Sequence, residues 1–180
     1  GPPYSLTLND VERIKSRVSP DVKVYAYNDS FTQMTLQSQA SAADGASRLV
    51  QVIAATEDIF LAYGAEFREG MGFSGSDVAS GNRCIVLGSR LASRLFGDEP
   101  ALGGKLVWQD EWHTGPTGEL ELSPAGPVYT VIGVMEPVRS SFLTEMQGGT
   151  EDDDPSSPDF SADGGAYVPI TSAPGMDGPT

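Results

Sequence analysis

The chain has 180 residues, of which 11 are basic and 25 acidic, so its formal net charge at pH 7 is −14. Nucleic acids and anionic membrane surfaces bind proteins through Lys and Arg side chains that displace counterions, so this charge argues against both kinds of partner. A chain of this length can bury one core, and its single cysteine, Cys84, excludes an internal disulfide and a cysteine-based metal site.

The first third of the sequence predicts one helix followed by three strands. Thr7 and Asp10 form a capping-box pattern, and the helix after Thr7 carries its apolar residues on one side and ends before Pro20. Alternating apolar and polar residues then predict strands at 22–27 and 32–36, and a more continuous apolar run predicts a central strand at 49–56. Residues 37–47 are expected to form a flexible hairpin connection, and Asn28, Asp29 and Ser30 a turn.

The middle of the chain predicts a helix that lies on a sheet. Residues 56–60 indicate a short capped helix ending near Gly64, and residues 69–82 a glycine-rich loop. The apolar strand Cys84–Leu87 leads into a helix over Ser89–Phe96, with Ser89 as its N-cap and Gly97 as its stop. Leu91 and Leu95 are four residues apart on the apolar side of this helix, whereas Arg90 and Arg94 share the opposite side.

Four further strands are predicted in the second half. One ends at Trp108, residues 119–122 are a short edge strand, residues 129–135 are a strongly β-forming run, and residues 167–170 close the sheet. The acidic, turn-rich stretch 145–165 is expected to be a mobile loop. Together these elements predict an α+β fold with helices packed on mixed sheets.

Several of these segments, taken in order, resemble one known family. The strings VLGSRLASRLFGDEPALGGKLVW from Val86, YTVIGVMEPV from Tyr129 and AYVPIT from Ala166 resemble the extracytoplasmic core domain of MacB-type ABC transporter permeases, in the superfamily of LolC, LolE and FtsX. The turn at residues 69–77 resembles the turn that precedes the strand in that family. The resemblance covers residues 7–171, with two departures: Met71 stands where arginine is usual, and the connection 109–127 is longer.

The resemblance implies a domain of two small lobes at residues 7–172, inserted between the first two membrane helices of a permease. Residues 1–6 are then expected to be a protease scar and the end of a stalk, residues 173–180 a flexible tail, and the membrane helices to lie beyond both ends. No run here reaches the roughly 20 apolar residues that cross a bilayer. The domain is expected to be periplasmic or extracellular, at the cell membrane.

The same resemblance implies no catalysis and no cofactor in this chain, with ATP bound by a separate cytoplasmic ATPase subunit. Other expected partners are an adaptor or an extracellular hydrolase, and a second permease copy. Two functions stay open: a moving part of an exporter, or an FtsX-like module that docks and activates a cell-wall hydrolase. For either, the exposed apolar residues Phe142, Leu143 and Met146 are predicted to contact the partner.

Four patterns suggest chemistry without supporting it. Residues 70–75 match G-x-G-x-x-G, but residues 76–81 are too short and polar for a dinucleotide-binding helix, so a glycine turn is favoured. In the acidic stretch 151–163, Ser157 and Asp163 stand where a calcium loop needs glycine and glutamate. The only histidine, His113, is predicted in an exposed loop, and a hydrolase would require it beside a carboxylate and a hydroxyl. Cys84 and Trp108 are predicted to be core residues.

Overall fold

The computed structural model describes residues 7–22, 24–39, 48–109, 112–114, 116–122, 126–138 and 159–174. The helices are α1 (Leu8–Arg17), α2 (Ile59–Ala62), α3 (Gly75–Ser80) and α4 (Ser89–Phe96). The strands are β1 (Tyr27–Leu36), β2 (Arg48–Ala55), β3 (Phe67–Gly70), β4 (Cys84–Leu87), β5 (Lys105–Gln109), β6 (Trp112–Thr114), β7 (Leu120–Leu122), β8 (Val128–Met135) and β9 (Ala166–Pro169). Short 3-10 turns occupy Gln37–Gln39, Ala162–Gly164 and Ile170–Ser172.

Seven of the strands form one mixed sheet in the order β3-β8-β4-β9-β2-β1-β5. Strand β5 pairs with β8 as well as with β1, so the pairings from β8 through β4, β9, β2, β1 and β5 return to β8 as a closed circuit. The circuit depends on β9, which comes from the end of the chain and lies between two strands of its first half, parallel to β2 and antiparallel to β4. Strands β6 and β7 pair only with each other in the described part of the chain.

The α+β class is confirmed, with helices and a mixed sheet both present. We expected two small lobes on sheets whose strands come from both halves of the chain. Strands from both halves do share a sheet, in which β9 lies between β2 and β4. The division into two lobes stays a prediction. The predicted core residue Trp108 is buried, and its ring packs 5.7 Å from that of Tyr129.

Helix α1 begins as predicted, and α4 begins with a different cap. Thr7 and Asp10 form the full capping box of α1. The N-cap of α4 is Gly88 and not Ser89, which is the buried first residue of the helix. A Cβ on residue 88 would lie 2.4 Å from the carbonyl oxygen of Asp163, so the backbone approaches too closely for any other residue at the cap. Gly97 ends the helix with the expected positive φ of 61°.

The predicted strand at 22–27 and the predicted turn at Asn28, Asp29 and Ser30 are both wrong. Strand β1 starts at Tyr27, runs through the three polar residues and continues to Leu36. It pairs antiparallel with β2 in an unbroken register from Tyr27 opposite Ala55 to Met34 opposite Arg48. Cross-strand pairing with an apolar central strand therefore overrides the weak β-propensity of Asn and Asp.

The predicted loop at 69–82 is also wrong, because it contains the end of β3 and helix α3. Ser74 and Asp77 form a second capping box, a local signal that the glycines of this stretch obscured. Thr56 does not cap α2: its hydroxyl accepts a hydrogen bond from the Ala26 amide at 3.0 Å. The N-cap of α2 is Asp58, which makes no side-chain capping bond.

The two leucines of α4 are expected to differ in their contribution to stability. Leu91 is 3% exposed, whereas Leu95 is only partly buried against the core. We expect Leu91→Ala to cost about 2–5 kcal/mol as a core truncation, and Leu95→Ala to cost less because solvent reaches part of its side chain. Urea unfolding of both variants checks the order, and an equal or larger loss at Leu95 would contradict this packing.

Cys84 is a buried core residue, and burial raises the pKa of its thiol from 9.0 to about 11. A pKa that is raised in the folded state favours the neutral thiol, so its contribution to stability is complete below pH 9 and is lost as the pH rises towards 11. We expect part of the alkaline loss of stability to disappear in Cys84→Ala, as measured by thermal unfolding between pH 8 and about 11. Identical pH profiles for the two proteins would contradict the prediction.

Candidate partner surface

Two aromatic side chains and one aliphatic side chain are exposed together at the outer face of β1 and β2. Phe31 and Phe160 are 45% and 50% exposed, and their rings meet edge to face with centroids 5.3 Å apart. Leu49 is 41% exposed and lies diagonally across the β1–β2 ladder from Phe31, because Phe31 faces Gln51 and Leu49 faces Gln33. We call Phe31, Leu49 and Phe160 the aromatic surface; protein partners favour such a cluster with a polar surround.

The turn that carries Phe160 is fixed to α4 by an ion-pair network. Asp159 Oδ2 lies 2.6 Å from Arg90 Nη1 and 3.5 Å from Arg94 Nη1, and its Oδ1 accepts hydrogen bonds from the Ser161 amide and hydroxyl. Arg90 also donates to the Ser161 hydroxyl at 3.2 Å. This explains why Arg90 and Arg94 share one side of α4. We call Asp159, Arg90, Arg94 and Ser161 the anchor network.

Charge and burial compete at Asp159. Burial alone would raise the pKa of this carboxyl, but the hydrogen bonds from Ser161 and the Arg90 guanidinium outweigh it and hold the pKa below the ordinary 3.8. Asp159 is therefore ionised at neutral pH.

A second carboxylate of the same turn, Asp163, accepts a hydrogen bond from the Val138 amide at 2.9 Å. This bond connects the segment before β9 to the segment after β8.

These contacts correct part of the mobile-loop prediction for 145–165. Residues 145–158 lie outside the described residues, whereas 159–165 form an ordered turn with Ala162 and Gly164 buried. Two acids of the stretch 151–163, Asp159 and Asp163, are engaged by arginines and by a backbone amide. Within the described ranges, no group of three or more His, Cys, Asp or Glu side chains could hold a metal ion.

The partner contacts predicted from sequence, Phe142, Leu143 and Met146, lie outside the described residues, so they stay a prediction. The aromatic surface was missed for two reasons. Phe31 falls where a turn was predicted to end, and Phe160 falls inside the predicted mobile loop. The signal was present as the alternation of β1, in which Phe31 and Gln33 are on the face opposite buried Thr32 and Met34.

The glycines of the pattern at 70–75 allow neighbouring backbone and side chains to approach closely. Gly70 has φ 62°, and a Cβ there would lie 2.0 Å from the carbonyl oxygen of Ile132, while a Cβ at Gly72 would overlap the Phe60 ring. Helix α3 does open on Gly75, yet its first turn is closed by the Ser74–Asp77 capping box and faces the Glu57 carboxylate. An anionic pyrophosphate would meet a carboxylate there, so the pattern does not support dinucleotide binding.

An open cleft of about 370 Å³ lies between β3 and the end of α4. Its charged lining consists of Arg68, Glu69, Asp98 and Glu99, and the Ser93 hydroxyl at its wall donates to the Ser89 carbonyl. The lining contains neither histidine nor cysteine.

His113 belongs to β6, opposite Glu121 in the ladder, and not to the loop predicted for it. In the described ranges, no helix is long and apolar enough to span a membrane.

Comparison with known proteins gives a family and two related folds. The family model for the MacB-like periplasmic core domain matches residues 1–178. The periplasmic region of MacB from Actinobacillus actinomycetemcomitans has a TM-score of 0.59 and 15% identity, over 93% of this chain and 56% of that one. The extracellular domain of the noncanonic ABC-type transporter YknZ from Gram-positive bacteria has a TM-score of 0.57 and 17% identity, over 93% of this chain and 64% of that one.

No curated protein matches the sequence. At 15% and 17% identity the structural likeness concerns the fold alone. The chain spans 56% and 64% of the lengths of these two solved domains, so each of them contains substructure beyond the shared part.

Proposed function

Since the chain belongs to the family of MacB-like periplasmic core domains, we propose that it is the extracytoplasmic domain of an ABC transporter permease subunit. In this proposal a cytoplasmic ATPase subunit binds and hydrolyses ATP and moves the membrane helices of the permease. The domain relays that movement to a substrate for export or to a partner protein. It performs no reaction itself and needs no cofactor of its own.

The closed circuit of strand pairings is the observation that carries this proposal. A relay has to move as one body, and a close-packed interior transmits displacement because it has little compressibility. Strand β9, near the end of the chain, supports this by pairing with β2 and β4 of the first half, and its four residues are all buried. The anchor network and the Asp163 contact to Val138 add polar ties between β8, α4 and the start of β9.

The proposal is tested in the intact permease with its ATPase. Replacing residues 7–174 by a flexible Gly/Ser linker should leave ATP hydrolysis measurable while export, or activation of the partner, is lost. The expected dissociation of the two activities follows from placing the chemistry in the ATPase and the relay in this domain. Unchanged export or activation after the replacement would contradict the proposal.

A second candidate, docking and activation of a cell-wall hydrolase, is supported by the aromatic surface, because aromatic side chains are favoured where proteins meet. The identity of the partner separates the candidates. Purified domain would be used to capture partners from envelope extracts, alongside a Phe31→Ser/Phe160→Ser variant. Leu61→Ser is the matched control, since Leu61 is 64% exposed on α2, outside the aromatic surface.

A peptidoglycan hydrolase that binds wild-type and the Leu61→Ser control, but not the double variant, would favour docking. A transport adaptor with the same dependence would favour export. Equal capture of the same partner by the double variant would show that the aromatic surface is not the contact, and would leave Phe142, Leu143 and Met146 as the predicted contacts.

A further inference from the structure

Four polar side-chain atoms of the described residues are buried without a hydrogen-bond partner. Three of them share the inner face of the sheet: Ser30 Oγ and Thr32 Oγ1 on β1, and Trp108 Nε1 on β5. The fourth, Thr35 Oγ1, lies on the opposite face of β1. Thr32 and Trp108 are 3% and 2% exposed, so solvent outside the protein does not reach them. Folded proteins rarely leave such groups unpaired, because each one loses its hydrogen bonds to water when it is buried.

The strand register places the three groups on one face. Met34 is directly opposite Trp108 in the β1–β5 ladder, and directly opposite residues of an antiparallel pair point to the same side of the sheet. Thr32 and Ser30 lie two and four residues before Met34 along β1, so their side chains share that side. Trp108 is therefore the diagonal neighbour of Thr32, a separation that an aromatic side chain can span.

Direct hydrogen bonds between these groups are not made, and their spacing explains this. Ser30 and Thr32 are about 6.6–6.8 Å apart along the strand, which is longer than one hydrogen bond but within a bridge of one or two waters. Their chemistry is also complementary to water. The indole N–H can only donate, whereas each hydroxyl both donates and accepts, so one water can accept from Trp108 and donate to Thr32.

We propose that Ser30, Thr32 and Trp108 form a buried water-binding site at the junction of β1 and β5. A buried water typically makes about three hydrogen bonds to groups of this kind, which matches the three atoms available here. The junction closes the circuit of strand pairings, since β5 pairs with both β1 and β8. The ring of strands is thus closed at this point by ordered water in addition to the backbone ladder.

Nuclear magnetic resonance on the folded chain tests the site with water itself as the ligand. The chain has two tryptophans, so the indole signal of Trp108 is assigned by its loss in Trp108→Phe. We expect this indole proton to show a cross-peak to water with the sign of a long-lived bound molecule. The cross-peak should be lost in Thr32→Val and kept in Thr35→Val, because Thr35 is equally buried on the same strand but faces the opposite side.

Thermal unfolding provides the second readout. Thr32→Val keeps the shape of the side chain and removes the hydroxyl, so it should lower the Tm if that hydroxyl is bonded to water. A dry site predicts the reverse, because the same substitution would then remove an unsatisfied group. Absence of a bound-water cross-peak at Trp108 in the wild-type protein, or a higher Tm for Thr32→Val, would overturn the proposal.

Discussion

The substitution Gly70→Ala is expected to destabilise the domain by about 4 kcal/mol or more, which is exceptional for the addition of one methyl group. Gly70 has φ 62°, where side chains other than glycine are strained, and its Cβ would lie 2.0 Å from the Ile132 carbonyl oxygen. The Cβ position is fixed by the β3 backbone and the oxygen belongs to the β8 backbone, so neither can move away without disturbing the β3–β8 pairing. Chemical unfolding monitored by tryptophan fluorescence measures the loss.

Gly64→Ala separates the two causes. Gly64 has nearly the same φ, 60°, but no atom lies within 4 Å of the position its Cβ would take. It should therefore cost only the backbone strain, about 1–2 kcal/mol. If Gly70→Ala lowered the free energy of unfolding no more than Gly64→Ala does, the close approach of β3 to β8 described here would be contradicted.

The second large effect is expected from Asp159→Asn in the anchor network. The change removes the charge that pairs with Arg90 and Arg94 while keeping the size of the side chain. Asp159 is well buried and Arg90 is about a third exposed, so solvent screens the pair partly, and we expect a loss of about 1–3 kcal/mol. Arg13→Ala is the control, because Arg13 pairs with Asp10 at the surface, and its Tm should be nearly unchanged.

The pH dependence of this difference has a defined sign. The folded-state pKa of Asp159 is lowered below 3.8, so the carboxylate contributes its full stability above that pH and loses it as the pH falls further. The gap in stability between wild-type and Asp159→Asn should accordingly be constant near neutral pH and shrink below about pH 3.8. A gap that stayed constant to lower pH would contradict the ion pair as its cause.

Local signals in the sequence were sufficient for most of the elements. The capping box at Thr7, the stop at Gly97 and the apolar runs that form β2, β4 and β8 each depend on neighbours within a few residues. These elements together predicted the α+β class, and short segments in the right order carried the resemblance to the MacB-type family. The family model over residues 1–178 confirms that resemblance.

Long-range contacts explain what sequence reasoning missed. The first residue of β1 is set by its pairing with β2. The central position of β9 in the sheet is set by strands more than 70 residues away in the sequence, β4 among them. Phe160 was assigned to a mobile loop because the neighbouring acids suggested solvation, whereas Asp159 is held by two arginines of α4. No pattern within the turn itself indicates those distant partners.

The most direct test of the relay is a distance measurement inside the domain of the intact transporter. Spin labels at Ser16 on α1 and Asp98 after α4, both exposed, would be read by pulsed electron resonance with and without ATP, in a Cys84→Ala background. The account predicts one unchanged distance between the two labels, while the Asp98 label moves relative to a third label at the membrane-proximal end of the permease. A distance between Ser16 and Asp98 that shifts or broadens with ATP would contradict the domain as a single rigid body.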